Sequence, residues 1–140
     1  MRPIEDEEHG MIKERIEEVT KANEAFYEAF ESLDITKMDK VWAQQDYVTC
    51  VHPGWTLRSG WPQVRDSWVL IFNNTFSMEF ELTDLQVQVA GDIGWVICVE
   101  NIKSRQGEAL QETRALATNL FERMGEEWKM IHHHGSPIMG

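Results

Sequence analysis

The 140 residues are enough for one hydrophobic core and too few for two comfortable ones. Hydrophobic residues at 42% and charged residues at 26% are globular proportions, which argue against wholesale disorder. A net charge of −11, from 24 acidic and 13 basic side chains, repels phosphate backbones and anionic headgroups and so disfavours nucleic-acid and membrane-surface partners.

In chain order, residues 1–10 read as a flexible acidic leader to a single domain spanning residues 1–140. Leader and first helix carry Glu5, Asp6, Glu7, Glu8, Glu14, Glu17 and Glu18, which suit a solvated face better than a docking surface. The leader lacks the apolar segment of a secretory signal, and no apolar run reaches membrane-spanning length, so a soluble cytoplasmic protein is the expectation. From Ile12 the stripe Ile12, Ile16, Val19, Phe26, Phe30, Leu33 has helical spacing over about six turns. Asn23 interrupts that stripe. A buried amide there needs a partner, backbone being the simpler one and a ligand the alternative.

Asp34 can cap a short second helix bearing Met38, Val41 and Trp42. "DYVTCV" reads as a strand stopped by "HPG", and "TLRS" as a second short strand. "GWPQVRDSWVLIF" then suits a helix with Pro62 in its first turn and Val64, Trp68 and Ile71 on one face. Four long strands complete the chain. The first of them changes apolar parity between Leu82 and Leu85, which predicts a β-bulge, and turns are expected at Gly91-Asp92 and around Gly125. Cys50 and Cys98 fall inside apolar strand-like runs and read as buried free thiols. The order predicts an α+β domain whose helices cover one face of a curved antiparallel sheet.

"WKMIHHHGSP" near the end invites comparison with a purification tag, but Trp128, Met130 and the histidines continue one strand and "GSPIMG" follows, so they read as native. Alternation puts His132 and His134 on the side of Trp128 and Met130, taken as the inward face, and His133 outward with Lys129 and Ile131. His52 precedes Pro53, which favours an extended backbone, and Gly54 lets the chain turn.

Together, "VHPGW", "SGW...V..SW" and "W.MIHHHGSP" resemble the nuclear transport factor 2-like superfamily, in particular its SnoaL-like branch, over nearly the whole chain. The ketosteroid isomerases are better-known members, and the closing strand also resembles the calcium/calmodulin-dependent protein kinase II association domain. The resemblance implies a cystatin-like conical barrel, a bent sheet wrapped around N-terminal helices, with a pocket at one end and often a homodimer. It places His52 where the isomerases carry their proton-shuttling carboxylate, a position where a neutral imidazole can act as base. Phe26 and Asn119 fall where those enzymes use a Tyr and a protonated Asp, which argues against steroid isomerisation by that mechanism. Tyr27, one residue along, leaves one hydroxyl in reach.

The expected function is therefore binding of a small, largely apolar organic molecule in a histidine-bearing pocket. If there is catalysis, it is cofactor-independent isomerisation, dehydration or cyclisation, with His52 as base, His134 or His132 as acid, and Asn119 holding an oxyanion. Trp55 and Trp68 would supply apolar walls, and Asn23, Tyr27, Glu100 and Asn119 polar contacts. The plainer readings are core packing for Trp68 and an arginine partner for Glu100. His132, His134 and His52 also make a conceivable zinc trio, although no metal is expected. No glycine-rich phosphate loop or nucleophile elbow is present, and no cofactor is expected. Self-association as a homodimer through the outer sheet face is the expected partnership, and a non-catalytic oligomerisation or ligand-sensing module is the alternative function.

Overall fold

The computed structural model describes residues 4–139. Helix α1 (Ile4–Ser32) starts well before Ile12, so residues 4–10 of the anticipated flexible leader form its first turns, while residues 1–3 lie outside the described residues. Its predicted stripe is the buried face from Val19 to Phe30, with Ile16 and Leu33 half-buried, whereas Ile12 is exposed. Val19, Asn23, Phe26, Tyr27 and Phe30 are all buried, and the left-handed Leu33 (φ 55°) ends the helix. Asp34 then caps α2 (Ile35–Val41), accepting from the Thr36 backbone N–H at 2.9 Å and its hydroxyl at 2.7 Å. Helix α3 (Trp61–Asn73) follows Gly60, whose φ of 85° suits glycine, and buries Val64, Ser67, Trp68 and Phe72.

The six strands are β1 (Thr49–Val51), β2 (Arg58–Ser59), β3 (Ser77–Ala90), β4 (Ile93–Gln106), β5 (Ala109–Met124) and β6 (Glu127–Pro137). They form one open, curved sheet in the order β2-β1-β6-β5-β4-β3. The α+β cone with its cystatin-like architecture is as anticipated. One detail differs from an all-antiparallel sheet: β1 runs parallel to β6, pairing Thr49, Cys50 and Val51 with His132, His133 and His134. The bulge foreseen in β3 is present, with the register shifting between Thr83 and Gln86 around the left-handed Asp84.

Helix α1 crosses the inner face of the sheet closely enough that Gly94 has no room for a side chain. A Cβ there would sit 2.6 Å from Val19 Cγ2. The core between helices and sheet is aromatic: the Trp68 ring meets Phe30 at 4.8 Å, Phe26 at 5.7 Å and Phe72 at 5.9 Å between centroids. Each such side chain contributes roughly 1.5–3 kcal/mol through burial, and edge-to-face contacts add to it. Among the described residues, no helix is long and apolar enough to cross a membrane.

Candidate active site

The three histidines of β6 sit opposite to the expected sense. Trp128 and Met130 do face inward, but β6 pairs Met130 with Phe121 and His132 with Leu120, so Ile131 is extra. One extra residue inverts the alternation beyond it. His133 is therefore the inward histidine, 1% exposed, whereas His132 is half-buried and His134 exposed. The anticipated inward pair thus lies on the outer face, where His132 Nδ1 bonds the Thr49 hydroxyl at 2.7 Å and the two rings stand 6.2 Å apart.

His133 begins a buried chain of hydrogen bonds. Its Nδ1 lies 2.6 Å from Asn119 Oδ1, an oxygen that only accepts, so the proton is on Nδ1. The Asn119 amide nitrogen faces two oxygens, Asn23 Oδ1 at 2.9 Å and Tyr27 OH at 3.2 Å, and donates to both. Tyr27 in turn donates to Glu100 Oε2 at 2.5 Å. Helix α1 supplies Asn23 and Tyr27 from one face, a turn apart, while β4, β5 and β6 each contribute one inward residue. Glu100 pairs with Tyr27 rather than with an arginine, which settles the plainer reading of it. Asn119 has both hydrogens committed inside the protein, so it offers none to an oxyanion.

Burial dominates the electrostatics. Loss of water pushes the Glu100 carboxyl up to about 7, with the Tyr27 hydroxyl pulling the other way. Burial, then the Glu100 charge, raises Tyr27 well above the ordinary phenol value. His133 is held well below the usual imidazole value by burial and by the neighbouring His52. A carboxyl at about 7 exists in both protonation states near neutrality, the condition for giving and taking a proton.

His52 is inside, as anticipated, but it is constrained. Ser67 Oγ donates to Val64 O at 2.6 Å and so must accept from His52 Nε2, 2.9 Å away, leaving the lone pair on Nδ1. Burial, assisted by the Arg58 charge, lowers His52 to about 4, which makes it a weak base. Its ring stacks edge-on to Trp68 at 4.6 Å, and Trp55 lies 5.0 Å away at the surface, covered by the Arg58 guanidinium. Because His52 is inside while His132 and His134 are outside, the imagined zinc trio does not assemble. Among the described residues no three His, Cys, Asp or Glu side chains gather in a metal-binding arrangement.

This geometry coincides with a family comparison: residues 19–140 match the model of the SnoaL-like domain. The chain belongs to the SnoaL-like domain family. A provisionally assigned dehydratase of the NTF2-like family from Streptomyces avermitilis is 40% identical, with a TM-score of 0.86 over 91% of this chain and 99% of that one. A provisionally assigned calcium/calmodulin-dependent protein kinase type II association domain from Thiobacillus denitrificans is 29% identical, with a TM-score of 0.72 over 84% of this chain and 93% of that one. The F-box protein SKIP8 of Arabidopsis thaliana is 28% identical over 121 residues, 86% of this chain. The chain spans about half the length of that curated relative, 50%.

Within this SnoaL-like domain the expected polar contacts Asn23, Tyr27, Glu100 and Asn119 do come together, and His52 and Trp68 lie on the far side of Phe26 and His133. The His52 and His133 rings are 6.2 Å apart. His133, expected to face outward, and Ser67 are the members that the residue pattern did not assign to the site. Two buried indole N–H groups, Trp42 Nε1 and Trp68 Nε1, meet no acceptor among the described residues, and their rings are 6.4 Å apart. A groove of about 660 Å³ lies at another end of the sheet, lined by residues that include Phe80, Ile102, Lys103, Arg114 and Met139. It borders the network: Phe80 pairs with Ile102 in the register just beyond Leu82 and Glu100, and its ring is 5.0 Å from that of Tyr27.

Proposed function

We propose that this SnoaL-like domain binds a small, largely apolar organic molecule inside the cone and that Glu100 moves a proton on it without a cofactor. The observation that carries this reading is Glu100 itself, a buried carboxyl with a pKa near 7 fixed by one hydroxyl donor. Dehydration of a β-hydroxy carbonyl compound is the favoured reaction class. The Glu100 carboxylate takes the proton α to the carbonyl, and the resulting carboxylic acid returns it to the departing hydroxyl, which leaves as water. Isomerisation or aldol-type cyclisation draws on the same proton transfer. The orphan indoles of Trp42 and Trp68 favour a ligand bearing an oxygen acceptor. The groove beside Phe80 and Ile102 offers a path, provided those side chains move. His52, held neutral, orients rather than abstracts.

The test is a panel of short β-hydroxy ketones and thioesters, followed by the absorbance of the conjugated product. Wild-type turnover lost by at least about 100-fold in Glu100→Gln, with cooperative unfolding showing that the variant is folded, supports the assignment. Turnover that survives the substitution removes Glu100 from the chemistry.

A second reading, self-association through the outer sheet face as a homodimer or larger ring, is favoured by the likeness to an association domain and by the exposure of Leu116 on that face (47%). Sedimentation of the purified protein decides it, since a monomer at high micromolar concentration would refute this reading.

A further inference from the structure

Every hydrogen in the buried chain points the same way, and one side chain sets the direction. Asn119 is the only member with both an acceptor and two donors in use. Its oxygen takes the His133 Nδ1 proton, and its nitrogen faces Asn23 and Tyr27. With the phenolic oxygen already accepting from Asn119, the single Tyr27 hydrogen is directed to an acceptor. Two acceptors are within reach: Glu100 Oε2 at 2.5 Å and, more weakly, Cys98 Sγ at 3.6 Å. The hydroxyl thus has a place to turn when Glu100 carries its own proton, so the chain stays satisfied in both states of the carboxyl.

We infer that Asn119 is a positioning residue for proton transfer at Glu100: it orients the Tyr27 hydroxyl onto the carboxylate and fixes His133 as its Nδ1–H tautomer. The inference deepens the assignment of Glu100 as the proton-moving group and rests on it for functional meaning. Asn119 acts at a distance, through Tyr27, and touches no substrate. His133 is left with an unprotonated Nε2, and its ring lies 4.9 and 5.9 Å between centroids from those of Phe26 and Trp68. The remaining neighbours do not compete for the proton. Titratable groups facing Glu100 are Tyr27 from α1, Cys98 on its own strand and Cys50 from β1, all raised by burial, Cys98 to about 11. Leu82 and Ala115 flank it on β3 and β5.

The experiment follows the Glu100 side-chain carboxyl by 13C NMR between pH 5 and 9, with the resonance identified by its loss in Glu100→Gln. Tyr27→Phe removes the donor to the carboxylate and is expected to raise the midpoint by about 1–2 pH units, the usual weight of a hydrogen bond to a charged group. Asn119→Ala is expected to raise it in the same direction by less. The double variant is expected to titrate with Tyr27→Phe alone, because Asn119 works through that hydroxyl. A wild-type midpoint in Asn119→Ala, or shifts that add in the double variant, overturns the inference. Should Asn119→Ala not fold, the 15N shifts of His133 in the wild-type protein decide, with a neutral Nε2–H tautomer refuting the arrangement. These outcomes are separable from the catalytic assignment, which fails instead if Glu100→Gln retains turnover while the titration behaves as described.

Discussion

Replacing Glu100 by Gln should make the protein more stable at alkaline pH and leave it nearly unchanged at acid pH. The folded carboxyl titrates near 7 instead of 4.5, so the folded state binds the proton more tightly than the unfolded chain does. The sign follows by linkage: the contribution is fully present below about 4.5 and is lost as pH rises through about 7. The interval of about 2.5 pH units at about 1.4 kcal/mol each sets the full loss at about 3–4 kcal/mol. Gln keeps a carbonyl oxygen to accept from Tyr27 and carries no charge to bury. Urea unfolding at pH 5 and pH 8.5 is the assay. Wild type is expected to lose about 2–3 kcal/mol between the two relative to Glu100→Gln, with equal m-values. A parallel pH dependence in the two proteins would refute the burial argument, because Glu100 would then titrate alike folded and unfolded.

His52 works on the acid side, its contribution being present above about 6.5 and lost as pH falls through about 4, so His52→Gln should flatten the acid limb of an otherwise identical unfolding series. Ser67→Ala leaves the buried His52 Nε2–H only the weak Cys50 Sγ acceptor at 3.6 Å and is expected to cost about 1–3 kcal/mol in chemical denaturation. Gly94→Ala drives a methyl into Val19 and should cost about 1–3 kcal/mol. Adding Val19→Ala should recover part of that loss, whereas simple additivity of the two costs would place the strain elsewhere. Trp68→Ala is expected to cost about 3–5 kcal/mol by melting, since the ring is fully buried among four aromatics.

Much of this architecture is legible from residue spacing because spacing reports which face is buried. The stripe from Val19 to Phe30 marked the inner face of α1, Asp34 marked the cap of α2, and the parity change between Leu82 and Leu85 marked the β3 bulge, which Asp84 accommodates by its left-handed backbone. Asn23 was readable as an amide in need of a partner. That its partner is Asn119, 96 residues away, depends on the sheet closing over α1 and is not a local property. The β6 bulge left no such mark. No glycine or parity change announces it, because the residues on either side of Ile131 are Met and His and three histidines in succession look alike on both faces. Helix α1 reaches back through the acidic leader because helical propensity among charged residues carries no apolar signal.

That same run of histidines has a consequence for how the site tolerates change. A strand in which one extra residue inverts the faces is vulnerable to any insertion or deletion that moves the extra residue along it. Here, whichever parity β6 adopts past Met130, an imidazole arrives at the interior: His133 with the bulge, His132 and His134 without it. The triplet makes the chemical identity of that interior position redundant with respect to strand register, so a slip would change the geometry of the partner of Asn119 before it changed its kind.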